Sequence, residues 1–349
     1  MMTLLWAGFL LGAVFGAFAR LGRFCLLRGL RQAIGKDGEQ RDGAPALQAF
    51  ALALAVALLA SQGLAFLGQV DLNAAQVARS NFSWIGTLTG GLLFGVGMAL
   101  ARSCGARSLV LLAGGNLRSF VTLLCLALAA QASLTGVLAP VRLWLQGFGA
   151  VALTHPTLPA QLQGSGLSAA VAIALAAGVP ALGLLIYAFK QPALRSSFAQ
   201  LISAVVIGLL IAVGWWTTTY FNAESFEPVA LTSLSFVGPL AEGLLYLQTA
   251  VGRTLGIGPA IVAGTLAGAF LMAVLTRSVR FEVFDSPSRM VASAIGGLMM
   301  GFGGVLAVGC SIGQGLTGLS TLAFASIPSM TGIVVGALII LALQARTND

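Results

Sequence analysis

Apolar residues fill the chain in long unbroken runs, separated by short segments that hold its arginines and most of its prolines. Runs without charge cover residues 1–19, 47–67, 80–101, 119–140, 166–189, 196–216 and 254–276. Each supplies about the 20 residues that a helix needs to cross the hydrocarbon of a bilayer. The last run, Met290 to Ala345, is also uncharged and would extend roughly 84 Å as a single helix. It must fold back, giving spans over 290–309 and 330–345 with a loop between them. The pattern predicts an all-α polytopic membrane protein with nine crossings and short re-entrant elements.

Composition agrees with this reading. Of 349 residues, 58% are hydrophobic and 8% charged, against roughly 25% charged in a soluble domain. The net charge of +8 does not indicate nucleic acid. The basic residues lie between apolar runs, as the positive-inside bias produces, and no segment resembles a nucleic-acid-binding motif. With the N-terminus outside and the C-terminus inside, only Arg79, Arg142 and Arg253 fall on the outer side. The first run has arginines after it and none before it, opposite to a signal peptide, and reads as a retained span.

Three segments share a frame. Gly12, Gly16 and Cys25 are spaced by four and nine residues, as are Gly91, Gly95 and Cys104, and Gly297, Gly301 and Cys310. Gly97 and Gly303 each stand seven residues before the cysteine. Small residues four apart make a close helix-packing face, which accounts for the glycines but not for the cysteines. The stretch 201–222, with Gly208 and Gly214 and no cysteine, is a degenerate fourth member. Four elements in two pairs predict halves over 1–165 and 196–349, joined by a linking span within 166–195. One linking span makes the halves opposite in topology, and inverted repeats place transport sites near the midplane at broken helices. The uncharged, glycine-rich stretch after Cys310 and the Arg102 to Ser108 segment are candidate breaks. Residues 222–247, with Pro228 and Pro239, form a further candidate re-entrant element.

The chemistry centres on thiols. Cys125, inside an apolar helix, reads as packing. Cys25, Cys104 and Cys310 each fall where an apolar run gives way to polar residues. A thiol is mainly S–H at neutral pH, a weak donor on a polarizable atom. Such a group suits a soft sulfur-bearing anion held weakly enough to be released. Arg102 and Arg107 are candidates to attract the anion and Gln314 to offer amide donors, although flanking charge and packing also explain them. Glu242 is an ionisable group at depth, hence a functional candidate. There is no CxxC pair, and His155 is the only histidine, so a zinc, His-based metal or catalytic centre is not expected, nor any cofactor.

The stretches Gly95-Val-Gly-Met-Ala-Leu-Ala-Arg-Ser-Cys104-Gly and Gly301-Phe-Gly-Gly-Val-Leu-Ala-Val-Gly-Cys310-Ser resemble the YeeE/YedE family of sulfur-compound transporters. The resemblance runs over most of the chain. It implies a bacterial inner-membrane protein of hourglass shape, not an enzyme, that takes up thiosulfate. By motif, Cys25, Cys104 and Cys310 would pass the ion inward through thiol hydrogen bonds. A small cytoplasmic sulfurtransferase of the TusA type is an implied partner besides the lipid bilayer, and some members are associated with selenium. Arg23 beside Cys25 and the basic loop at 28–41 have no counterpart in that pattern. Two other readings stay open on the residues alone. One is a membrane thiol–disulfide relay, which wants a vicinal cysteine pair. The other is a Cu(I) carrier, with Met98, Met299 and Met300 near the repeats.

Overall fold

The structure, a computed structural model, describes residues 2–35, 44–223, 230–252 and 254–346. The order begins with α1 (Met2–Leu21), α2 (Leu26–Ala33), α3 (Pro45–Phe66), α4 (Trp84–Leu100), α5 (Gly105–Ala113) and α6 (Leu117–Leu134). Short helices α7 (Ala139–Gly147) and α8 (Leu158–Gly164) follow. Then α9 (Ala169–Ile173) runs through a wide π turn into α10 (Val179–Lys190). The chain continues with α11 (Pro192–Arg195), α12 (Phe198–Ala223), α13 (Val237–Thr249), α14 (Ile257–Leu275), α15 (Pro287–Leu306) and α16 (Ser326–Arg346). Among the described residues, the one sheet is a ribbon of β1 (Asn81–Ser83) against β2 (Ala150–Ala152), antiparallel with Phe82 opposite Val151.

Nine helical segments among the described residues are long and apolar enough to cross a membrane. They are Met2–Ala33, Pro45–Phe66, Trp84–Ala113, Leu117–Leu134, Ala169–Lys190, Phe198–Phe221, Ile257–Leu275, Pro287–Leu306 and Ser326–Gln344. They fall on the nine runs of the sequence, and the protein is an all-α polytopic membrane protein. The run expected over 119–140 ends early, at Leu134. There the amides of Thr135 and Gly136 turn back onto Gln131 and Ala132, and Pro140 opens the separate helix α7. The break expected over 222–247 lies partly outside the described residues, as do Lys36, Arg41 and Arg253. From Val237 it is the 13-residue helix α13, about 20 Å long and too short to cross.

Lipid tails are as apolar as leucine, so no hydrophobic effect drives one span against another, and association rests on close fit. The glycine frames supply that fit. A β-carbon on Gly12 or Gly16 would run into the backbone of Ile261 or Thr265 on α14. Gly91 and Gly95 meet Ser329 and Ile333 of α16 in the same way, and Gly297 and Gly301 meet Thr122 and Leu126 of α6. Gly97 and Gly303 face each other's helices where α4 crosses α15. The remaining large contact sets α3 against α12, with Gly208 over Ala53. The pairings are reciprocal: α1 takes α14 as α12 takes α3, and α4 takes α16 as α15 takes α6. Helix α9–α10 stands outside this arrangement and leans on α3, with Ala172, Ala176, Ala177, Ala181 and Ala188 as its buried line.

Three of these helices stop in the same manner. α1, α4 and α15 end at Leu21, Leu100 and Leu306. Two residues later the backbone is left-handed at a residue that is not glycine: Arg23 (φ 48°), Arg102 (φ 55°) and Val308 (φ 59°). The next amide reaches back five residues, from Phe24 to Ala19 O (2.9 Å), Ser103 to Met98 O (3.1 Å) and Gly309 to Gly304 O (2.8 Å). The left-handed residue itself bonds three back, from Arg23 to Arg20 O, Arg102 to Ala99 O and Val308 to Val305 O. This is a Schellman closure, which satisfies the last carbonyls of a helix. A cysteine follows each closure, and its own carbonyl accepts the first amide of the next turn: Gly29 on Cys25, Ser108 on Cys104 and Gln314 on Cys310. Each frame is thus a packed helix, a satisfied break and a cysteine at the start of a second helical element.

Two stability predictions follow. Gly95→Val should push α4 off α16 and cost about 1–3 kcal/mol by overpacking. The measure is the thermal midpoint of the purified protein in detergent, with Gly147→Ala, where nothing lies within 4 Å of the new carbon, unchanged. Val308→Gly should raise that midpoint, since a β-branched residue in the left-handed region is strained by on the order of 1 kcal/mol. A fall in the midpoint would show that the valine side chain, and not its backbone, decides the turn.

Candidate functional site

The three breaks meet in the middle of the bundle. Cys25, Cys104 and Cys310 are 4%, 3% and 1% exposed, too buried to be a surface feature. Cys25 and Cys104 line one small enclosed space together. Ser311, next to Cys310 in the chain, lies against the Cys104 thiol. Each cysteine stands at the start of its own second element: Cys25 is the N-cap of α2, Cys104 is the N-cap of α5, and the Gly313 amide donates to Cys310 Sγ at 3.3 Å. Amides at such a place carry the partial positive charge of a helix start.

A vestibule lies on either side of the thiols. The larger, about 940 Å³, reaches Cys25. Arg20, Arg23, Arg28, Arg31, Arg102 and Arg107 line it, with no acidic side chain among the described residues of its wall. Arg20 also braces that wall, donating to Val110 O at 3.2 Å and to Ser278 O at 2.9 Å. A concave wall of one sign focuses field and gathers anions. The second vestibule, about 460 Å³, reaches Val308 and Gly309, the two residues before Cys310. Its wall is mixed: Arg79, Arg142 and Glu242 supply charge, and Ser233 and Ser235 supply hydroxyls. Ser235 Oγ and Cys310 Sγ both lie within 4 Å of the point a β-carbon on Gly313 would occupy.

Beyond Cys25 the interior is closed. The space enclosed by Cys25, Cys104, Ser311, Phe15 and Phe24 is only about 10 Å³, at the lower limit for one water molecule. The aromatic walls are fixed by their own packing. Phe15 lies 5.0 Å from Phe236, and Phe24 stacks on Phe50 at 5.5 Å between ring centroids. An anion larger than water crosses only when these side chains part.

The structure therefore brings Cys25 and Cys104 together, sets Cys310 on the other side of Ser311, and puts exposed Arg102 in the basic vestibule. Gln314 is used differently from the donor role considered for it. It is buried, and its amide nitrogen donates to Ala307 O (2.9 Å) and Val308 O (3.0 Å), closing the end of α15. Cys125 faces Gly297 in the contact of α6 with α15. Met98 and Met300 are fully buried in the core, and no group of three or more metal-binding side chains occurs among the described residues. Glu242 stands near Gly258 at the start of α14 and borders the mixed vestibule. Sequence reasoning missed Ser311, Ser235 and the four arginines, Arg20, Arg23, Arg28 and Arg31, that join Arg102 and Arg107. A signal for the arginines was present, since Arg23-Phe24-Cys25 and Arg102-Ser103-Cys104 share an Arg-x-Cys spacing.

Comparison with known proteins gives a consistent result. Over 334 residues the chain is 25% identical to the thiosulfate transporter TsuA of Escherichia coli (strain K12), covering 90% of this chain and 88% of that one. Over 333 residues it is 26% identical to the thiosulfate transporter TsuA of Spirochaeta thermophila, covering 93% and 94%. The family model described as sulphur transport matches residues 21–339, which takes in all three cysteines and the glycines of the second and third frames. The chain belongs to the sulphur transport (YeeE/YedE) family.

Proposed function

We propose that this protein carries thiosulfate, or a closely similar sulfur-containing anion, across the bacterial inner membrane. The observation that carries the reading is that Cys25 borders the basic vestibule and shares one small enclosed space with Cys104 and Ser311, while Val308 and Gly309, just before Cys310, border the mixed one. The names of the two relatives supply the substrate class. The mixed vestibule with Arg79 and Arg142 collects the ion from the periplasm, and the arginine-lined one receives it on the cytoplasmic side. That orientation follows the positive-inside rule and puts the N-terminus in the periplasm and the C-terminus in the cytoplasm. A TusA-type sulfurtransferase would then take the ion from the basic vestibule.

The chemistry asked of the residues is modest. An ion stripped of water in a low-dielectric interior suffers a penalty of several kcal/mol, which the protein must offset with its own donors. A thiol gives a weak S–H donor and no charge, so each contact with a terminal sulfur is worth about the net 0.5–1.5 kcal/mol of an ordinary hydrogen bond, or less. The amides at the start of each second element add positive potential without a titrating group. Stations of similar, small depth allow the ion to leave each one. No covalent step is needed. The inverted-repeat reading, with halves over 1–165 and 196–349, is supported by the reciprocal pairing of α1 with α14 and α12 with α3. It accounts for a path with similar breaks approached from both sides.

One observation favours a second reading. Cys25 and Cys104 are free thiols that face one small space, as a thiol–disulfide relay would want. A relay predicts a trapped mixed disulfide in Cys25→Ser or Cys104→Ser, while transport predicts uptake with no sulfur bound covalently.

The decisive measurement is uptake of sulfur-labelled thiosulfate by cells lacking other sulfate and thiosulfate importers. Cys25→Ala, Cys104→Ala and Cys310→Ala should each lower the initial rate at least tenfold, with Cys125→Ala normal and all four proteins in the membrane. Normal uptake by the first three would reduce their cysteines to packing. Arg102→Glu should slow uptake severalfold in proteoliposomes, with a smaller effect at high salt because the field is screened. An unchanged rate would leave Arg102 as a topological charge alone.

A further inference from the structure

Ser311 is a buried hydroxyl that the fold does not use. It is 1% exposed, and its oxygen has no nitrogen or oxygen hydrogen-bond partner among the described residues. It meets the Cys104 sulfur, a weak partner at best. Buried hydroxyls in helical proteins ordinarily bond back to a carbonyl one turn earlier, as Ser133 and Thr265 do here with Ala129 and Ile261. Ser311 makes no such bond: it sits just past a helix break, where its side chain is no longer stacked on the preceding turn. Ala307 O and Val308 O hold the Gln314 amide, and Gly304 O holds Gly309 N. The space in front of it, about 10 Å³, has little room for a water to make up the loss. Alanine would fill the same place without leaving a polar atom unsatisfied. A buried hydroxyl that meets only a weak sulfur partner in the resting fold points to a contact made in another state.

Resting on the transport reading above, we infer that Ser311 donates its hydroxyl hydrogen to an oxygen of the substrate as the anion passes from Cys310 to Cys104. Thiosulfate has two chemically different ends, a soft terminal sulfur and a group of three hard oxygens. The thiols match the first end. A hydroxyl matches the second, being a stronger and shorter donor than a thiol towards oxygen. Ser311 is joined to Cys310 in the chain and lies against Cys104 in space, so one oxygen can be held while the sulfur changes partners. Holding both ends makes Ser311 a specificity-determining residue. An anion with oxygens alone loses the thiol contacts, and one with sulfur alone leaves the hydroxyl unmatched, a mismatch that discriminates strongly in a closed site. The Cys104 frame has Gly105 at the matching place after its cysteine, so the hydroxyl is supplied from one side of the path only.

The test compares Ser311→Ala with wild type and Cys104→Ala, reading both labelled-thiosulfate uptake and the thermal midpoint of the purified full-length protein. Ser311→Ala should lose at least fivefold in initial uptake at low thiosulfate while its midpoint stays level or rises. A merely structural serine would not give that combination. Lower uptake with a clearly lower midpoint would overturn the inference and make Ser311 a packing residue. Normal uptake by Ser311→Ala with Cys104→Ala inactive would overturn it and leave the thiol pathway standing. Normal uptake by both would remove the pathway reading and this inference with it.

Discussion

A polypeptide at the depth of a bilayer must satisfy every backbone amide and carbonyl from within, because lipid offers no partner. The three interrupted helices of this protein are solutions to that single constraint. Each ends in the same closure, with the carbonyls of its last turn taken by the amides that follow, and each starts again at a cysteine. The closure is what permits irregular chain in the membrane interior at all. Once it is made, the fresh helical element presents amides that have no helical partner, and a cysteine stands at its start. Site chemistry here is the residue of a backbone problem.

The surrounding spans hold those interruptions in register. Glycine pairs let α1 lie backbone to backbone on α14, α4 on α16 and α15 on α6, so the height of each break is set by helices that cannot slide without a clash. Two functions are therefore written into one frame. The glycines fix where a helix stands, and the cysteine thirteen residues after the first of them marks where it stops.

Much of this was legible. Nine apolar runs became nine spans, since hydrocarbon thickness leaves few alternatives for an uncharged stretch of that length. The glycine–cysteine frame was visible as spacing and proved to be a structural unit. The left-handed turns were not visible. They are carried by Arg23, Arg102 and Val308, residues that give no local signal for that conformation, where glycine would have. Nor does spacing say which sulfur meets which, because the neighbours of Cys104 are Cys25 and Ser311, distant in sequence in both directions. Spacing is equally silent on the Gln314 amide, which closes the end of α15. Helix α6 was expected six residues too long, as a Thr-Gly pair inside an apolar run closes a helix without any change in polarity.

The narrow space at the thiols bears on the whole cell, not only on the substrate. Protons cross membranes by hopping along unbroken files of water, and a pathway open wide enough for an anion would ordinarily hold such a file. Here the space at Cys25, Cys104 and Ser311 is about 10 Å³, with Phe15 and Phe24 in its wall, the lower limit for one water and too small for a continuous column. A file broken there gives a proton no next molecule to hop to, which is what a cell that lives on its proton gradient needs of such a protein.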